Sequence, residues 1–179
     1  RRLREATERH GVLLVFDEVI TGFRVAPGGA QAALGVTPDL ATFAKIVAGG
    51  LPGGAVAGRK AILDRLDFAE TARAGHAKIL HPGTFNANPV SAAAAVVALG
   101  LIEDGEANAR ANATAAELRA RLNHVLAERG LDWAVYGTFS GFHFFLNPEG
   151  RSIDPRRFDP YAVPWQELKT KPAATANAL

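Results

Sequence analysis

Apolar and polar positions follow two different periods along this chain, and the change between them divides it. Residues 1–10 (RRLREATERH) have the spacing of the end of an amphipathic helix, closed at His10-Gly11 as helix C-termini commonly are. Residues 12–16 (VLLVF) form a continuous apolar run of strand length, suited to a parallel strand buried on both faces. Shorter strands are predicted at 40–43 and 55–58, separated by a turn rich in glycine and proline over 49–54. Residues 30–34 and 59–68 read as helix, and 76–89 as irregular and polar. An alanine-rich helix is predicted over 89–102. A longer one follows over 106–129, with Leu118, Leu122, Val125 and Leu126 on one stripe and Gly130 at its end. Residues 133–139 and 141–146 resemble strands of a small separate α+β unit. Beyond Asn147 the chain is loop-like, except for one helical turn at 165–169. The composition shifts near 83–90, with sheet-forming segments before and helices and the β-rich unit after.

Composition narrows the function classes. In 179 residues, 48% hydrophobic and 21% charged content is ordinary for a globular protein with a sizeable core. The net charge is +2, and basic residues are interspersed with acids, as in RRLREATER, so nucleic-acid binding is disfavoured. No cysteine occurs, which removes disulfides, thiol nucleophiles and Cys-ligated metals and fits a cytoplasmic protein. His76 and His81 have no acidic partner nearby in sequence, so no metal site is expected. No apolar run is long enough to span a membrane. The chain lacks methionine and opens within a helical pattern, so it is expected to be part of a longer protein.

Candidate chemistry centres on residues 39–59, DLATFAKIVAGGLPGGAVAGR. Lys45 is the only charged residue between Asp39 and Arg59. An ammonium among apolar neighbours is costly to desolvate, and a desolvated lysine is the residue type that forms Schiff bases with carbonyl compounds. Upstream, the apolar run ends in Asp17-Glu18, and carboxylates at the C-terminal end of a parallel strand stand where open α/β sheets bind ligands. Gly83-Thr84 offers a hydroxyl and backbone amides to an anion. Taken singly, each has a plainer reading: a surface lysine, a turn-capping aspartate, an ordinary loop. A nucleotide-binding domain is disfavoured, because the glycines lack Gly-x-Gly-x-x-Gly or Gly-Lys-Ser/Thr spacing.

The run VFDEVITGFRVAPGGAQAALGVTPDLATFAKIVAGGLPGG resembles the cofactor segment of class III pyridoxal-phosphate-dependent aminotransferases, closest to the glutamate-1-semialdehyde aminomutase branch. The 28 positions from Asp17 to Lys45 fit that family's pattern, and His81-Pro-Gly-Thr-Phe-Asn-Ala-Asn-Pro resembles its second phosphate loop. The resemblance covers roughly residues 1–146. It implies an α/β fold: part of the large, aspartate aminotransferase-like domain over 1–88, connecting helices over 89–130, and part of a smaller C-terminal α+β domain over 131–179. It also implies PLP-dependent amino-group transfer, between molecules or within one, in a cytoplasmic homodimer with a composite active site. Lys45 would hold pyridoxal 5'-phosphate as an internal aldimine and shuttle protons. Asp17 would pair with the pyridine nitrogen, Val19 would pack against the ring, and Thr84 would bond the phosphate of the neighbouring subunit. The substrate would be a small amino acid or amino-aldehyde. The aminomutase branch usually has a Gly-Thr-Leu-Ser-Gly-Asn-Pro type of sequence where this chain reads Gly-Thr-Phe-Asn-Ala-Asn-Pro, so aminomutase and aminotransferase both stand. Since the family's upstream half is absent from these 179 residues, they are expected to be inactive alone. The alternative is a catalytically incomplete remnant of the fold with a binding or structural role.

Overall fold

The computed structural model describes residues 1–170, which divide into two compact units between Asn108 and Ala109. In the first, helix α1 (Arg2–Arg9) leads into strand β1 (Val15–Asp17), helix α2 (Gly29–Leu34) and strand β2 (Leu40–Phe43). A 3-10 turn follows at Lys45–Ala48, then strand β3 (Ala55–Gly58) and short helices α3 (Lys60–Leu63) and α4 (Phe68–Arg73). Helix α5 (Pro89–Gly100) is the last complete element before the long helix α6 (Glu106–Glu128). The sheet order is β1-β2-β3, with β1 parallel to β2 and β3 antiparallel to it.

The parallel pair is held in register by the Thr37-Pro38-Asp39 corner. Asp39 is buried, and its backbone N–H donates to the Leu14 carbonyl at 2.8 Å while its carbonyl accepts from the Arg59 N–H at 2.9 Å. Its carboxylate accepts from the Leu14 N–H (2.8 Å), from Arg4 (2.8 Å) and from Arg59 (3.0 Å). These contacts join α1, the start of β1, β2 and the end of β3 through one side chain.

Helices α2 and α5, strands β2 and β3 and the irregular 76–89 segment match the sequence expectations closely, and three local differences have physical causes. The run 12–16 is not buried on both faces: Val12, Leu13 and Val15 are each about half exposed, at 55%, 51% and 51%. Among the described residues strand β1 is an edge strand paired only with β2, and Leu14 and Phe16, on its other face, are better covered. The helix expected over 59–68 breaks at a 3-10 turn, Asp64–Leu66, and restarts where the Asp67 side chain caps α4 by accepting the Glu70 N–H at 3.0 Å. The strands expected over 133–139 and 141–146 shorten to β4 (Ala134–Tyr136) and β5 (His143–Phe145). At Gly137 the backbone turns with φ +147°, and a Cβ would lie 2.6 Å from the Gly141 carbonyl oxygen.

The second unit is built on α6 and this antiparallel hairpin. Asn123 of α6 behaves like a piece of backbone: its amide donates to the Val135 carbonyl at 2.8 Å and its oxygen accepts the Val135 N–H at 2.7 Å. Arg119, one turn earlier, donates to the carbonyls of Phe139 and Gly141. Ala134, Val135 and Phe145 form the core, and Phe145 stacks on Phe158 with ring centroids 4.7 Å apart. Arg151 pairs with Glu167 of helix α7 (Trp165–Lys169) through two hydrogen bonds. The stripe expected on α6 is only half covered, with Leu118 and Val125 exposed and the small Ala115 buried.

Two predictions follow from these contacts. The Leu14 N–H, then Arg4 and Arg59, hold the Asp39 carboxyl down to about 2 from an ordinary 3.8, against the opposing effect of burial. Because the folded-state pKa is the lower one, this contribution is complete above about pH 4 and fades as pH falls toward 2. In acid titrations followed by circular dichroism, Asp39→Asn should lower stability at neutral pH and flatten its dependence on pH between 4 and 2; an unchanged slope would refute the assignment. Asn123→Ala leaves both polar groups of Val135 without partners, so chemical denaturation should show a loss of about 1–3 kcal/mol.

Candidate functional site

Register places the two candidate residues of the sheet. Asp17, the last residue of β1, is opposite Thr42 of β2, and Lys45 follows three residues later. The ladder runs one step further, with the Glu18 N–H donating to the Thr42 carbonyl at 2.9 Å. Asp17 and Lys45 therefore stand at the C-terminal ends of adjacent parallel strands, the edge at which α/β sheets bind ligands.

The backbone at Lys45 is unusual. Ala44 is extended at φ −154°, and Lys45 then enters the left-handed region at φ +54°, which costs a residue with a Cβ about 1 kcal/mol or more. Helix α5 braces the turn that follows. Gly49, at φ +61°, lies so close to α5 that a Cβ would meet the Ala94 carbonyl oxygen at 2.7 Å, and the Ser91 hydroxyl donates to the Pro52 carbonyl at 2.7 Å. The Lys45 side chain is exposed rather than enclosed by the apolar residues around it in sequence.

Asp17 is also exposed, and its Oδ1 accepts the Val19 N–H at 3.0 Å. Among the described residues no lysine or arginine forms an ion pair with it, so its second oxygen faces no protein cation. Val19 is half-buried in the turn after β1. The strand stops at Asp17, so the side-chain alternation of an extended segment does not relate the two residues. Their relation is set by this hydrogen bond instead.

The segment after Glu18 folds back onto the end of β2. Gly22 packs so tightly that a Cβ would fall 2.5 Å from the Phe43 ring, and the Phe23 and Phe43 rings lie 5.2 Å apart. Asn108 secures the same segment by donating to the carbonyls of Phe23 (2.9 Å) and Arg24 (2.8 Å).

Thr84 stands apart from this pair. It is exposed at the start of a turn, 84–87, and among the described residues no hydrogen bond joins it to Asp17 or Lys45. Asn86 shapes the loop, donating to the His81 carbonyl at 2.9 Å and lying 2.9 Å from His81 Nδ1. A cavity of about 600 Å³ separates this loop from residues 52–55 and α5, and Val47 reaches it from the turn that begins at Lys45. A larger cleft, about 860 Å³, belongs to the second unit and contains none of the candidate residues.

In the sequence Glu18 stands out only as a strand-end carboxylate beside Asp17, and Asn108 does not stand out. Glu18 is 1% exposed, and its carboxylate accepts from the Thr21 hydroxyl (2.7 Å), the Ala30 N–H (2.8 Å), the Gln31 N–H (2.9 Å) and the Gln31 amide (3.4 Å). Burial pushes its carboxyl up, but the bonds from Thr21, Ala30 and Gln31 outweigh this and leave it below the ordinary range. Its partners lie up to thirteen residues away, and Asn108 lies 85 from Phe23, so no local pattern marks either. Chemically, the edge presents a primary amine and a carboxylate from the ends of two adjacent strands.

Residues 1–149 match the family described as aminotransferase class-III. Over 146 residues the chain is 41% identical to a glutamate-1-semialdehyde 2,1-aminomutase of Methanococcoides burtonii, covering 82% of this chain and 33% of that protein. An enzyme of the same name from Methanosarcina acetivorans is 40% identical, over 83% of this chain and 34% of its own. Among solved structures, an omega-transaminase from Sphaerobacter thermophilus superposes with a TM-score of 0.72 at 39% identity, over 87% of this chain and 34% of that one. A transaminase solved with PLP bound gives 0.72 at 35%, over 81% and 33%. The chain thus spans about a third of the length of the curated relatives it matches. With the family matched over residues 1–149, this chain belongs to the class III aminotransferases.

Proposed function

We propose that this chain carries the lysine and ring-nitrogen carboxylate of a pyridoxal-phosphate enzyme that moves an amino group. The observation that supports this reading is the register of β1 and β2, in which Asp17 is opposite Thr42, three residues before Lys45, at the C-terminal ends of two parallel strands. The donor set fits the cofactor: an exposed amine in a strained turn, and at the end of the adjacent strand a carboxylate with one oxygen that has no partner among the described residues. When bound, pyridoxal phosphate supplies an electron sink for the carbon that loses a proton. Lys45 Nζ would be the amine that holds the cofactor, and the base at which that proton would be held. Asp17 would hold a proton on the ring nitrogen, and Val19, whose N–H donates to the Asp17 carboxylate, would pack against the ring.

The assembly proposed is a homodimer in which Thr84 serves the phosphate of the neighbouring protomer. Apolar side chains exposed around that loop and on α5 support it: Leu80, Phe85, Val90, Val96, Val97 and Leu101 are each more than 60% exposed. The exposure of Lys45, Asp17 and Thr84 in this chain likewise supports a site completed by further protein surface, without which the 179 residues are inactive. The substrate is a small amino acid or amino-aldehyde, the reaction an intermolecular transfer or an intramolecular shift. The cysteine-free sequence supports a cytoplasmic setting, and no helix among the described residues is long and apolar enough to cross a membrane.

The test uses the complete protein that carries this sequence. After incubation with pyridoxal phosphate, borohydride reduction and digestion, mass mapping should find a phosphopyridoxyl group on Lys45. Lys45→Ala should lose the adduct and several orders of magnitude in turnover; near-normal turnover would refute the role. Asp17→Asn should keep the adduct on Lys45 but slow turnover roughly a hundredfold, since one preorganised electrostatic contact is removed.

A further inference from the structure

Glu18 is a buried carboxylate with no cationic partner among the described residues, an expensive arrangement for a purely structural residue. Every polar part of it is engaged. Its N–H extends the β1–β2 ladder to the Thr42 carbonyl, and its carbonyl accepts the Gly22 N–H at 2.8 Å, closing the turn after Asp17. Its side chain gathers the Thr21 hydroxyl and the amides at the start of α2. Gly29, at φ +67°, leaves room for this carboxylate, because a Cβ there would lie 2.7 Å from an oxygen of Glu18. The excursion from residue 19 to residue 29 is thus tied back to the residue between Asp17 and Val19.

We infer that Glu18 is a positioning residue: by locking the turn it fixes the Val19 N–H that orients the Asp17 carboxylate, and it sets a second negative charge behind that carboxylate. This inference rests on the proposed function, in which Asp17 faces the protonated ring nitrogen. A neutral residue of the same shape could fill the volume, but it could not accept from all these donors or contribute to the field at Asp17. The acceptor count and the charge separate a positioning role from mere packing.

The complete protein is loaded with pyridoxal phosphate, and wild type is compared with Glu18→Gln. The expected result has three parts: cofactor affinity falls about tenfold, as for the loss of one charge-assisted hydrogen bond; the pH midpoint of the bound cofactor's visible absorbance falls by about half a unit, since removing an anion weakens a nearby protonated form; and amide hydrogen exchange at Ala30 and Gln31 accelerates. If Glu18→Gln shows only a lower melting temperature, with midpoint and affinity unchanged, Glu18 is structural and the inference falls while the proposed function stands. If wild type itself takes no cofactor on Lys45, the proposed function fails and the inference fails with it. Should Glu18→Gln not fold, Thr21→Val keeps the charge and removes one donor to the Glu18 carboxylate, so it should lower cofactor affinity and accelerate exchange at Ala30 and Gln31 by less while leaving the midpoint in place; unchanged affinity and exchange there overturn the inference.

Discussion

Three hydrogen-bond donors meet on the carboxylate of Asp39, and a fourth contact leaves from its own N–H toward the Leu14 carbonyl. A sheet register can slip by whole residues at little cost when nothing but backbone bonds define it. Here a slip would strand a buried charge among unpaired groups, which costs far more than the ladder bonds gained or lost. One residue therefore decides which positions of β1 and β2 are neighbours. From that follows the opposition of Asp17 to Thr42, three residues before Lys45.

A second buried carboxylate governs what happens at the end of that register. Glu18 folds the following segment back, and Asn108 clamps its far side at Phe23 and Arg24. Gly22 and Phe23 then pack against Phe43, two residues before Lys45. The strained left-handed turn at Lys45 is braced in a similar way, by glycines that let α5 approach the backbone. Strain persists only where surrounding contacts overdetermine it, and both strand ends meet that condition.

The outer surface contrasts with these tightly held interiors. Apolar residues of β1, α5 and the 76–89 loop are widely exposed, and so are the candidate catalytic groups. Water-exposed groups lack the low dielectric that strengthens electrostatic catalysis, which is why the proposed chemistry calls for the complete, assembled protein. The second unit shows the opposite economy, with side-chain amides substituting for backbone: Asn123 pairs α6 to β4, and Asn147 closes the loop to Arg151.

Local periodicity and turn chemistry determined much of this protein. The strands β2 and β3, the glycine-rich turn after Lys45 and the alanine-rich α5 were all legible, because each depends on residues within a few positions of one another. The resemblance marked Asp17, Val19, Lys45 and Thr84 by order and spacing. Only the tertiary structure decided that Asp39 pins the register, that Glu18 and Asn108 hold the turn beside Asp17, and that Lys45 sits in a left-handed backbone. Those features arise from partners between 12 and 85 residues apart, and from the geometry of close backbone approach. Neither leaves a trace in local pattern, since a buried glutamate reads in sequence like any acid at the end of a strand.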